Sequence, residues 1–236
     1  ITITSNMSPR STTVSAVSGT YTFTGGPIDS GSLTKSGGGT LVVDYDHTFT
    51  GKTVVSGGTI TVNNLANEGV ASPLGAATGA DATIDMYPGT LLKFAPPDIR
   101  SVYFSTDRTI NLAGAGPGTV ELQCRWNDKW ASFGAITGTG TGPRTLRLLP
   151  SGDRARIRVT GPIADTSDDA VSLDVYFTSQ AAAGGRVYLE GTNTFSGPIT
   201  MTTSRTSKPE DVYINGSGSL GGGNYTNTIS IQTSIT

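Results

Sequence analysis

The chain has 236 residues, with threonine at 37 positions, glycine at 32 and serine at 24, while charged residues make up only 14% and the net charge is −2. Such a length suits one domain, the near-neutral balance argues against general nucleic-acid binding, and no run of about 20 apolar residues is present to cross a membrane as a helix. A single cysteine, Cys124, excludes an internal disulfide framework and a metal site built on several thiolates.

The sequence opens on Ile1 with no basic-then-apolar leader, so it reads as a processed chain or an excerpt. Strand-like alternation then recurs along its length. Residues 1–4 (ITIT) and 59–63 (TITVN) alternate polar and apolar, followed by 145–148 (TLRL), 156–159 (RIRV), 171–175 (VSLDV) and 228–232 (TISIQ). A period of two sends one set of side chains inward and the other to water. Each run is short and stops at a glycine-bearing turn. No window of a dozen residues carries helical spacing, so the chain is predicted to be all-β.

The strands recur in a unit. Residues 38–51 align without a gap on residues 184–197. Each has a glycine pair, a strand, an acidic residue (Asp44, Glu190) and a polar turn, closing on Thr-Phe-hydroxyl-Gly around Phe49 and Gly51 or Phe195 and Gly197. A shorter form stands at 22–25, and the corner Gly161-Pro162-Ile163 matches Gly197-Pro198-Ile199. In this structural turn motif the aromatic ring points into a core, glycine allows a turn that a side chain would obstruct, and proline stands at a strand's first position. Corners of this kind, repeated every 20 to 30 residues or so, coil a chain into stacked turns paired in parallel. A β-sandwich built from the same strands stays open as the alternative.

Residues 33–41 (LTKSGGGTL) followed by 48–60 (TFTGKTVVSGGTI) resemble the autotransporter-associated β-strand repeat, also called the passenger-associated transport repeat. Pro73-Leu74-Gly75 and Gly89-Thr90-Leu91 are similar to its downstream elements, and residues 184–199 return to it in part, with Pro198 and Ile199 in place of the expected Gly/Lys-Thr. The resemblance implies a right-handed parallel β-helix in a protein exported to a bacterial surface, usually a stalk, adhesin or scaffold, with no catalytic residues in the repeat. It places this segment outside the cell or on the bacterial cell surface. Any membrane-embedded barrel would lie outside these residues. The whole of 1–236 is then one β-helical segment, with repeat-like units near 19–64 and 184–232 and a less regular middle over 92–183. At 20 to 25 residues per coil, roughly ten coils fit, a rod near 50 Å long at about 4.8 Å per coil.

Candidate chemistry is sparse. His47 is the single histidine and the one group that a Ser-His-Asp arrangement could use. It aligns with Asn193, which favours a polar turn over a triad. Residues 165–169 (DTSDD) could offer carboxylates to calcium but lack the ligand spacing of an EF-hand loop, so a solvated acidic loop is the plainer reading. Arg154, Arg156 and Arg158 alternate on the outward side of one run. The repeat lapses at residues 123–130 (QCRWNDKW), where Trp126 and Trp130 are candidate ligand contacts, either stacking on sugars or covering the core as a loop. Cys124 reads as a small buried hydrophobe. Asn6, Asn215 and Asn224 head glycosylation triplets of a kind that arise by chance in a Ser/Thr-rich chain. Lys35, Lys52 and Lys208 fall beside turns and read as solubilising charges. No catalytic, metal or cofactor residue is assigned.

The expected role is a non-catalytic stalk, adhesin shaft or filament building block. Carbohydrate binding or polysaccharide cleavage along the helix is the rival. The uncharged terminal runs predict head-to-tail or strand-exchange association of copies through the helix ends. A surface glycan is the other expected partner; nucleic acid and membrane insertion by this segment are not expected.

Overall fold

The structure, a computed structural model, describes residues 1–96, 102–125, 128–178, 184–203, 211–214 and 229–233. Its strands form three sheets of ten, seven and five members, and strands adjacent in a sheet run parallel throughout. This is a parallel β-helix, and the antiparallel layers that a sandwich requires are not what these strands build. One short 3₁₀ turn, Gly79–Ala82, interrupts the strands.

The chain goes round in two regimes. Early coils alternate a strand of the long sheet (Thr20–Gly25, Thr40–Val43, Gly58–Val62) with a strand of the seven-stranded sheet (Leu33–Lys35, Thr53–Val55, Ile84–Met86). Thr20, Thr40 and Thr59 stand one over another, so these coils take 20 and 19 residues. From Val102–Ser105 onward each coil gains a strand in the five-stranded sheet. Gly118, Arg144 and Val171 now stack, giving coils of 26 and 27 residues. The expected 20 to 25 is exceeded because a third wall has been added. Residues 90–177 nevertheless keep register in the long sheet.

The core is the column that runs up the inside. Leu41, Ile60, Leu92, Leu122, Leu148, Val175 and Met201 are successive partners across the long sheet. From Leu41 to Leu148 all are fully buried, and each contributes about 1.5–3 kcal/mol of transfer free energy. Leu33, Thr53, Ile84, Ile110, Ile136 and Ile163 make a matching column on the seven-stranded sheet.

Two readings of the corners change. Phe49 and Phe195 are buried as expected, but Gly51 and Gly197 have no left-handed backbone. A Cβ at either would stand 2.4 Å from a carbonyl oxygen of the preceding coil, that of Gly31 or of Val171. Glycine is there to let two backbones approach, not to turn the chain. Lys35 is no surface charge either. It occupies the inward column between Val14 and Val55, is fully buried, and donates from Nζ to the carbonyls of Ser36 (2.8 Å), Gly37 (2.7 Å) and Gly57 (3.0 Å). Burial pulls its pKa down. The lysine of the repeat therefore ties together two stacked corners. Lys52, by contrast, lies on the surface 3.2 Å from Asp85, and Lys208 falls outside the described residues.

Candidate functional site

The third wall carries the chemistry that the first two lack. Its strands are Val102–Ser105, Lys129–Phe133, Arg156–Val159, Arg186–Leu189 and Asp211–Ile214. In each, alternation turns an apolar residue inward: Phe104, Ala131, Ile157, Val187 and Val212 follow one another in register. The outward positions form two columns. One runs Tyr103, Trp130, Arg156, Arg186, Asp211; the other ends in Arg158, Tyr188, Tyr213.

Stacking one coil on the next brings these side chains within van der Waals reach. Tyr103 meets Trp130 edge-on at 6.0 Å between ring centroids. Trp130 reaches past the Arg156 strand to stack on Tyr188 at 5.7 Å, and Tyr188 stacks on Tyr213 at 4.7 Å. The Arg156 guanidinium lies 4.4 Å from the centroid of the Trp130 ring, a cation–π contact. Ion pairs edge the stack: Arg158 with Glu190 at 2.6 Å, Arg186 with Asp211 at 3.3 Å, Arg154 with Asp128 at 3.4 Å. The hydrogen bond to Glu190 pushes the Arg158 pKa up, and the one Tyr213 donates to Asp211 pushes its phenol up.

Trp130 thus belongs to a ladder rather than to a loose loop, and its ring is engaged by Arg156 and Tyr188. Trp126 lies outside the described residues. Tyr103 and Tyr213, at the two ends of the ladder, are the rings that remain exposed, at 49% and 39%. The sequence reading missed them, together with Tyr188 and the isolated role of Arg156. Their period-two signal is present in each run, but the register that gathers them depends on coil lengths set elsewhere.

The other candidates are taken up by the fold. His47 is buried, and its Nδ1 accepts the Ile28 N–H at 3.0 Å. Asn193, its counterpart in the alignment, does the same job: Oδ1 accepts the Ile163 N–H at 2.8 Å. Each caps a backbone amide of the coil before it. The carboxylates of the 165–169 loop are similarly held, Asp165 by the amides of Val171 (2.8 Å) and Ser196 (2.9 Å), and Asp169 by that of Gly142 (2.6 Å). Among the described residues no three His, Cys, Asp or Glu side chains gather as for a metal ion. Asp44 and Asp46 line a shallow depression of about 470 Å³ with Tyr45, Asn63, Asn64 and Phe104, and their oxygens accept from Asn63 and Asn64. Cys124 is fully buried and its thiol is pushed up to about 12 by loss of solvent. Asn6 is an exposed residue near the start of the helix, whereas Asn215 and Asn224 lie outside the described residues.

The His47 arrangement has a consequence for pH. Burial lowers its pKa, against the opposing pull of Asp46, and a protonated ring could no longer accept the Ile28 amide. The folded state therefore binds this proton more weakly than the unfolded chain. Stability is complete above about pH 6.5 and falls as pH drops, by at most about 1.4 kcal/mol per unit, until the folded pKa is passed. His47→Asn, which installs the residue used at position 193, is expected to flatten this slope. Urea unfolding of both proteins between pH 7.5 and 5 measures it; parallel slopes would refute the assignment.

Residues 33–62 match the family model for the passenger-associated-transport-repeat, so the chain carries that repeat where its opening coils are tightest. Over 187 residues, 78% of this chain, it is 28% identical to the adhesin BmaC autotransporter of Brucella suis biovar 1 (strain 1330). The matched stretch is 4% of that adhesin's length. No solved structure matches the chain.

Proposed function

We propose that this chain, which carries a passenger-associated transport repeat, is a non-catalytic length of stalk in a protein displayed on a bacterial surface, an adhesin shaft rather than an adhesin's working tip. The observation that carries the reading is the inner column: seven aliphatic partners from Leu41 to Met201 joined coil to coil, with parallel backbone pairing around them. Such a column converts chain length into reach, and it is the whole interior. The similarity to part of an autotransporter adhesin supports a place in a longer surface protein. The engagement of His47, Asp165 and Asp169 with backbone amides supports a structural use of those side chains.

Ten strands at about 4.8 Å each make the segment roughly 48 Å long. In-frame removal of residues 1–236 from the parent protein is therefore expected to shorten the displayed fibre by that amount in electron micrographs while leaving the remainder folded and displayed. Replacement by an unrelated β-helix of equal length should restore reach. A fibre of unchanged length, or an activity lost on deletion and not restored by the replacement, would contradict the stalk.

A further inference from the structure

The outward face of the five-stranded sheet holds four guanidinium groups, and three have carboxylate partners: Arg154 with Asp128, Arg158 with Glu190, Arg186 with Asp211. Arg156 makes no ion pair among the described residues. Its guanidinium lies 4.4 Å over the Trp130 ring, and its Nε is buried with no acceptor. A cation that is desolvated on one side, oriented by an indole and left without an anion is prepared for an anion from outside. The two exposed rings, Tyr103 at 49% and Tyr213 at 39%, flank it along the helix axis. They belong to the first and fifth strands of the sheet, four inter-strand steps apart, roughly 19 Å.

We infer that this face binds a glycan carrying isolated carboxylates, a polysaccharide built on uronic acid residues, lying along the helix axis. The carboxylate of one sugar pairs with Arg156, and the apolar faces of sugars on either side rest against Tyr103 and Tyr213. The coil spacing, about 4.8 Å, is close to the length of one pyranose in an extended chain, so successive sugars meet successive strands. The charge pattern chooses among glycans. A neutral chain leaves Arg156 without a partner. A densely sulfated chain meets Asp128, Glu190 and Asp211 across the same face and is repelled. This inference does not depend on the stalk reading: a shaft can be bare, and a non-shaft can carry this face.

The test titrates the purified chain with three oligosaccharides of equal length: hyaluronan, whose uronate alternates with a neutral sugar, a neutral cello-oligosaccharide, and heparin. Hyaluronan is expected to bind most tightly at low salt. Arg156→Gln should weaken it at least tenfold, Arg156→Lys less, and Tyr103→Ala, at an exposed site with no demand on folding, several-fold. Circular dichroism checks that each variant keeps its β-structure. The inference is overturned if hyaluronan binds no better than the neutral chain, or if both Arg156→Gln and Tyr103→Ala bind as the unaltered protein does. It is equally overturned if heparin binds most tightly and is insensitive to Arg156→Gln, since that marks unspecific attraction between charges.

Discussion

Ile60→Asp is expected to cost about 4 kcal/mol or more and to open the coils on both sides of it, whereas Thr61→Asp, one residue further on, should change stability by no more than about 0.5 kcal/mol. Ile60 is fully buried between Leu41 and Leu92 in the inner column, so a carboxylate there has neither water nor a donor. Thr61 faces outward between Val42 and Lys93, where an acid has solvent and a cation beside it. A solenoid's stability is a sum of terms between neighbouring coils, so damage at Ile60 should spread first to the coils it touches. Urea unfolding gives the two costs, and hydrogen exchange shows which coils lose protection. Equal costs at the two positions would mean that this strand is not seated as described.

The second large effect concerns a cation. Arg144 is buried at a corner where Nη1 donates to the carbonyls of Gly116 and Gly142 and Nη2 to those of Ala113 and Gly114. Four carbonyls that leave the sheet ladders at a turn are thus satisfied by one side chain. Arg144→Met keeps much of the volume and orphans them all. At about 1–3 kcal/mol for each buried group left unpaired, with partial rescue by water, the expected loss is at least about 3 kcal/mol. Arg144→Lys, with one nitrogen for the same cluster, should fall between the two. A Met variant as stable as the parent would show that the corner does not need the guanidinium. Lys35 serves a smaller cluster in the same way two faces away from solvent, which is why the repeat places a charge in an otherwise apolar column.

How much of this was legible beforehand varied with the kind of information needed. Alternation located the inward residues because it depends only on neighbours in the chain: Ile60, Leu122 and Val175 were assigned a face by period alone. The ungapped match of residues 38–51 to 184–197 paired His47 with Asn193, and the two prove to make the same hydrogen bond. Lys35 was misread because charge ordinarily marks the outward face, and nothing local shows that three carbonyls from two coils converge on it. Gly51 was placed correctly and explained wrongly, since the obstacle, the Gly31 carbonyl, belongs to another coil. The aromatic ladder was the least legible. Trp130 drew notice as a rare residue, but Tyr103, Tyr188 and Arg156 become its neighbours only once the long coils stack. Information of one-residue range survives in the sequence; information that depends on the length of an entire coil does not.

The claim beneath all of this is that coils pile up in register, one strand step at a time. It can be measured with spin labels placed on outward threonines of the long sheet, because Cys124, buried with its thiol pushed up to about 12, will not compete for the label. Thr40, Thr59, Leu91, Glu121, Arg147, Asp174 and Thr200 are successive partners. Double electron–electron resonance between Thr40→Cys and Thr200→Cys should give about 29 Å, six steps of about 4.8 Å, and moving the first label to Thr59 should shorten it by one step. Distances that ignore this one-coil shift, or that bring the two ends of the series together, would contradict the stacked helix.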